Sequence, residues 1–92
     1  MPIKLTSSLV EFYGTECVIC KKLEPLLDRL QDEVGIDIQK IEVWHNEENA
    51  GLWKEMDAGF CGAVPLFVNT KTNKKICGSA TYEKFKEWAQ GK

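Results

Sequence analysis

Hydrophobic and polar positions alternate along the chain in short, distinct blocks. Leu9-Val10-Glu11-Phe12-Tyr13 is apolar on both parities except for Glu11, which predicts a strand covered on both faces. Gly14-Thr15-Glu16 ends it. Leu23, Leu26, Leu27, Leu30 and Val34 then recur at helical spacing, with Gly35 as a stop and Pro25 as an expected kink. Residues 36–44 predict a second strand, with Ile38, Ile41 and Val43 as its apolar contributors. Asn46 offers an N-cap to a helix that carries Glu47 and Glu48 in its first turn, buries Leu52, Trp53 and Met56, and finishes near Gly59. Residues 64–69 predict a third strand, a polar turn follows to Lys74, and Lys75-Ile76-Cys77 returns as its hairpin partner. Thr81 caps a last helix with Phe85, Trp88 and Ala89 facing inward. The predicted order is β-α-β-α-β-β-α. The fold class is α/β, a four-stranded mixed sheet with helices on both faces.

The 92 residues, 43% hydrophobic and 28% charged, fit one domain over 1–92 and exclude a disordered chain. No stretch approaches the roughly 20 apolar residues of a membrane span, so no membrane partner is expected. Twelve basic against fourteen acidic residues make nucleic acid an unexpected partner. Residues 1–6 lack the charged-then-apolar pattern of a signal peptide, which favours a reducing compartment, the cytoplasm.

Of the four cysteines, Cys17 and Cys20 fall where a buried strand hands over to a helix. A helix N-terminus carries partial positive charge and unpaired N–H groups, which stabilise a thiolate. Cys17 is expected at the edge, reachable by solvent, with Cys20 one turn inside. The chemistry this predicts is thiol–disulfide exchange, with Cys17 attacking a substrate disulfide and Cys20 resolving the mixed disulfide. The alternatives are half of a zinc site, completed by Cys61 and Cys77, and a plain structural bridge.

Glu11 in a doubly covered strand is costly unless paired or protonated, so its pKa should be raised, and it could accept the proton of Cys20. An edge position reaching water is the alternative. Lys40 on the second strand is its expected counter-charge. Pro65, opening an apolar strand, belongs at a strand start or edge. A cis Val64–Pro65 bond would leave the Val64 backbone free to pair with an extended substrate; a trans proline would merely start the strand.

Leu9 to Leu27, LVEFYGTECVICKKLEPLL, resembles the active-site segment of the thioredoxin family without a gap. The matching positions are Glu11, Phe12 and Tyr13, Cys17 and Cys20, Lys21 and Pro25. Gly62 to Pro65 is similar to the family's cis-proline segment, and Lys40 falls where thioredoxins keep the lysine paired with the buried acid. The likeness follows the order of elements over nearly the whole chain. It lacks the extra amino-terminal strand and helix of full thioredoxins, so a minimal thioredoxin-like fold is expected, closer in size to glutaredoxin.

The resemblance implies a protein-disulfide reductase with Cys17 as nucleophile, Cys20 as resolver, Glu11 as proton acceptor and a cis Val64–Pro65 bond. Val64, Pro65, Val18 and Ile19 would meet the substrate. It implies no bound cofactor and no metal, with a thioredoxin reductase or a small thiol as electron donor, and a monomer. The chain departs from thioredoxins at Glu16, where they carry Trp, and at Val18-Ile19, where they carry Gly-Pro. Glu16 opposes thiolate formation at Cys17. Glutathione use, as in glutaredoxins, is the main enzymatic alternative. However, Cys77-Gly78-Ser79-Ala80-Thr81 has neither the paired glycines nor the aspartates that grip the tripeptide in those proteins. A non-enzymatic binding or metal-holding module is the other class.

Cys61, four residues before Pro65, is expected either as a third redox thiol near the site or as an inert free thiol. Cys77 is expected as a buried, small apolar residue. His45, at the far end of the second strand, reads as a solvated loop residue. Trp44, Trp53 and Trp88 read as packing, and Lys71 to Lys75 as a solvated turn.

Overall fold

The computed structural model describes residues 5–92; the first four residues of the segment read for a leader lie outside them. Strand β1 (Leu9–Tyr13) is followed by α1 (Val18–Val34), β2 (Ile38–Glu42), α2 (Glu47–Asp57), β3 (Leu66–Asn69), β4 (Lys74–Cys77) and α3 (Tyr82–Gln90). The four strands form one mixed sheet in the order β2-β1-β3-β4. The crossover through α1 makes β1 and β2 parallel, whereas β3 runs antiparallel to both β1 and β4. This is the expected α/β architecture.

The parity of β1 divides the core. Leu9 faces Leu23, Leu27 and Leu30 of α1 and Phe85 and Trp88 of α3. Val10 and Phe12 face the other way, with Ile41, Val43, Leu66 and Val68 beneath α2. On the first face Phe67 meets Phe85 edge-on at 4.6 Å and Trp88 at 5.7 Å between ring centroids. Leu27 and Leu30 are fully buried, and truncating either to Ala would cost about 2–5 kcal/mol through lost burial and a residual cavity.

Each helix carries its own terminators. Asn46 Oδ1 accepts from Asn49 N at 3.0 Å and Thr81 Oγ1 from Lys84 N at 3.3 Å, both side-chain N-caps. Gly35, in the left-handed region at φ 73°, closes α1, its N–H reaching Gln31 O at 3.0 Å. Helix α1 continues through Pro25 as one element.

β4 starts one residue earlier than read, at Lys74, and three other boundaries depart from the sequence reading. β2 starts at Ile38, because Ile36 N still serves the end of α1 by donating to Gln31 O. It ends at Glu42, whose carboxylate folds back onto the N–H groups of Trp44 and His45. β3 starts at Leu66, after the proline. Leu52, Trp53 and Met56 are half-buried rather than buried, since α2 covers its face of the sheet alone.

Candidate active site

The C-terminal end of β1 delivers the chain to the cysteine pair through a tight turn in which Cys17 N donates to Gly14 O at 3.0 Å. Cys17 is itself the N-cap of α1, and its sulfur accepts from Cys20 N at 3.2 Å. An N-cap sulfur sits where the helix dipole and the unpaired N–H groups act together, and the first turn holds no acidic residue to offset them. Cys17 and Cys20 are disulfide-bonded, with Cα atoms 5.2 Å apart.

One expectation is corrected here. Cys17 was expected to be open to solvent, but it is only 6% exposed and Cys20 3%. The Cys17 sulfur is turned inward to its bonded partner and the helix amides. The exposed surface belongs instead to the intervening residues, Val18 at 63% and Ile19 at 48%.

Glu11 shares the parity of Leu9 and so lies on the α1 face of the sheet, 2% exposed. Its cross-strand neighbours are Lys40 on β2 and Phe67 on β3. Burial lifts its carboxyl to about 7; Lys40 pulls it down, while Glu24 and Asp28 of α1 push it further up. Lys40 is exposed on the edge strand and acts on Glu11 through its charge.

The end of β2 and the loop that follows it bring three residues to the same end. The half-exposed Trp44 lays its indole against Gly14, leaving no space for a Cβ there. Glu42 Oε2 accepts from Thr15 N at 3.0 Å and from Trp44 N at 3.2 Å, and its Oε1 accepts from His45 N at 2.8 Å. Desolvation is the largest single effect on its carboxyl and raises the pKa, but these bonds together outweigh it and hold the group below the usual carboxylate range. His45 Nε2 lies 2.6 Å from Glu16 Oε1, which raises the imidazole pKa through that hydrogen bond and the adjoining charge.

His45 is therefore not remote from Cys17. Parallel strands bring their C-terminal ends together, so the residues after β2 lie beside those after β1. Glu16, Glu42 and His45 offer ligand atoms within 4.8 Å of one another, the one grouping among the described residues with the spacing to hold a metal ion. The hydrogen bonds just given already engage all three.

The third loop, between α2 and β3, completes the site. The Val64–Pro65 peptide bond is cis. Val64 lies outside the ladder, which begins at Leu66 opposite Phe12. Buried Asp57 holds this loop from below, its two oxygens accepting from Cys61 N at 2.7 Å and Gly62 N at 2.8 Å. The sequence reading missed Asp57; a carboxylate at a helix C-terminus, where the dipole disfavours it, was the available signal.

Cys61 and Cys77 are also disulfide-bonded, with Cα atoms 5.5 Å apart. This corrects two expectations. Cys61 is not a free thiol, and Cys77 is exposed rather than packed in the core, because β4 is an edge strand. The four sulfurs separate into two pairs instead of one four-thiolate cluster.

A family model described as Thioredoxin matches residues 3–91. Among solved structures, a glutaredoxin from Archaeoglobus fulgidus is similar over 94% of this chain and 89% of its own, with a TM-score of 0.69 and 22% identity. Comparison with curated proteins gives no match. No helix among the described residues is long and apolar enough to cross a membrane. The structural likeness establishes the fold, and the family model extends over nearly every residue that builds it. With the cysteine pair bonded at a helix start, the chain belongs to the thioredoxin family, in the general class of thiol–disulfide oxidoreductases.

Proposed function

We propose that the protein is a monomeric cytoplasmic reductase of protein disulfides, working through the Cys17–Cys20 couple without a bound cofactor. In this reading the Cys17 thiolate attacks one sulfur of a substrate disulfide; that bond breaks, and the other substrate sulfur leaves as a thiolate. Cys20 then gives its proton to Glu11 and attacks the Cys17 sulfur of the mixed disulfide. The second substrate thiolate departs and the Cys17–Cys20 disulfide remains. Two electrons have passed to the substrate, and a thioredoxin reductase or a small thiol returns them.

The observation that carries the reading is the bonded pair at the start of α1 with a buried carboxyl titrating near neutrality on the β1 face below that helix. A carboxyl with a pKa of about 7 is matched to taking a proton from a thiol and releasing it again at neutral pH. Lys40 keeps that value from rising further. Exposed Val18 and Ile19 offer an apolar rim, and Val64 a backbone edge, for an extended substrate segment. A glutathione-specific role is less well supported. Thr81, one of the two hydroxyls available for the tripeptide, is already engaged in capping α3.

Cys20→Ser tests the assignment of the thiols, because it should trap a substrate disulfide on Cys17; trapping on another cysteine overturns it. Glu11→Gln should slow resolution of the mixed disulfide about 100-fold or more at neutral pH, and an unchanged rate removes Glu11 from the mechanism. Turnover with a thioredoxin reductase, and separately with glutathione, identifies the donor. Stoichiometric zinc in the reduced protein, lost on Cys17→Ser, would replace the redox reading with a metal-holding one.

A further inference from the structure

We propose that Cys61–Cys77 is a second redox-active disulfide, a reversible brace on the loop that offers Val64 to substrate. The brace rests on the reading of Val64 as a substrate contact; its own opening and closing do not.

Register fixes where the bridge lies. Phe12 of β1 pairs with Leu66 of β3, and Leu66 pairs with Cys77 of β4. Cys77 is thus two strand spacings, roughly 10 Å, from the end of β1 that leads to Cys17. Gly78 N donates to Pro65 O at 2.9 Å, which sets the end of β4 directly against the proline. The bridge therefore ties the edge strand to the α2–β3 loop at the end of the sheet that carries the first couple.

The loop between these attachments has few others. Asp57 holds the Cys61 and Gly62 amides, and the Cys61 sulfur is bonded to Cys77. Gly59 and Gly62 adopt left-handed φ values of 80° and 73°, and the Phe60 ring stands exposed beneath the Lys75 ammonium at 6.0 Å. Cys61 and Val64 are partly buried against the sheet face beneath α2, but Gly59, Phe60, Gly62 and Ala63 between and beside them are exposed, so one covalent bond contributes to the order of this segment.

Access is one-sided. Cys77 is exposed and Cys61 half-buried, so an incoming thiolate meets the Cys77 sulfur first. A small thiol such as glutathione, or a vicinal dithiol, attacks Cys77; the bridge breaks and Cys61 leaves as a thiolate. A second glutathione, or the second thiol of the dithiol, then attacks the reductant sulfur of the mixed disulfide, releasing Cys77 as a thiolate and forming the reductant's own disulfide. Two electrons enter the protein, and the two thiolates take up protons. Oxidation by the reverse route closes the brace.

The experiment uses the full chain with Cys17→Ser and Cys20→Ser, leaving only the second couple. Equilibration in graded mixtures of reduced and oxidised glutathione, followed by thiol labelling, should show Cys61 and Cys77 changing together between bridged and free. Amide exchange in the same protein should quicken about tenfold or more at Cys61, Gly62 and Val64 when the bridge opens. Two free thiols in fully oxidising buffer, a bridge that excess glutathione never opens, or unchanged exchange would each overturn the proposal.

With the first couple intact, Cys61→Ala/Cys77→Val should raise KM for a disulfide-bonded protein such as insulin about threefold. It should spare kcat and the reduction of a small aromatic disulfide that needs no backbone contact. An unchanged KM overturns the brace. Failure of the unsubstituted protein to reduce insulin would instead count against the proposed function, with the titration and exchange results still standing as the test of the second couple.

Discussion

His45 Nε2 lies 2.6 Å from an oxygen of Glu16, the residue directly before Cys17, so when protonated the imidazole screens the carboxylate adjacent to the first cysteine. The contact is exposed, and its influence is correspondingly small. Its sign is nevertheless definite. The folded-state pKa of His45 is raised, so the pair is complete below the imidazole's ordinary pKa and is lost as pH rises through the higher folded value. Above that point Glu16 acts on Cys17 unscreened. His45→Ala should lower the alkylation rate of reduced Cys17 about twofold near pH 6, and His45→Lys should restore it. Glu16→Gln should raise the rate and abolish the effect of His45→Ala. Equal rates in the parent and all of these variants would mean that the pair does not reach the sulfur.

Glu11 predicts a pH-dependent stability. Its folded pKa of about 7 stands above the ordinary 4.5, so folding favours the protonated carboxyl. The contribution is fully present below about 4.5 and is lost as pH rises through about 7. Glu11→Gln removes that loss. Urea unfolding should find the variant about 2–3 kcal/mol more stable relative to the parent at pH 8 than at pH 4. The same pH dependence in both proteins would remove Glu11 as its source.

Gly14 is limited by contact. Gly14→Ala would drive a methyl group into the Trp44 indole, and because that ring is half-exposed it can swing outward. The expected outcome is a red-shifted Trp44 emission with a stability loss of about 1 kcal/mol. It is read most directly in a background where Trp53 and Trp88 are Phe.

Asp57→Ala should cost about 2–3 kcal/mol, since it leaves the Cys61 and Gly62 N–H groups without their acceptor. Asp57→Asn retains one carbonyl oxygen and should recover part of the loss. Thermal unfolding of the two variants beside the parent checks this, and an Ala variant as stable as the parent would mean that the two amides find other partners.

The sequence made legible whatever depends on local period. β1 kept its boundaries, and α1 and α3 were readable because Leu27, Leu30, Phe85 and Trp88 repeat at helical spacing toward one face of the sheet. The exchange pair was readable because its chemistry lies within four residues of one chain turn. What depended on the meeting of distant segments was not. Cys61 and Cys77 are sixteen residues apart and meet only because the register of β3 and β4 brings Cys77 opposite Leu66. The Glu16–His45 pair spans 29 residues and follows from parallel pairing of β1 and β2. Asp57 gave no periodic signal at all, because its partners are backbone amides rather than side chains.

The sheet order has a consequence for self-association. Strands β2 and β4 form the two edges of the sheet, and both carry lysine: Lys40 on one side, Lys74 and Lys75 on the other. An additional strand laid along either edge would have to strip water from an ammonium group while aligning its backbone. Lys40 thus has two effects from one position, favouring the ionised form of Glu11 inside the sheet and discouraging other chains from extending it outside.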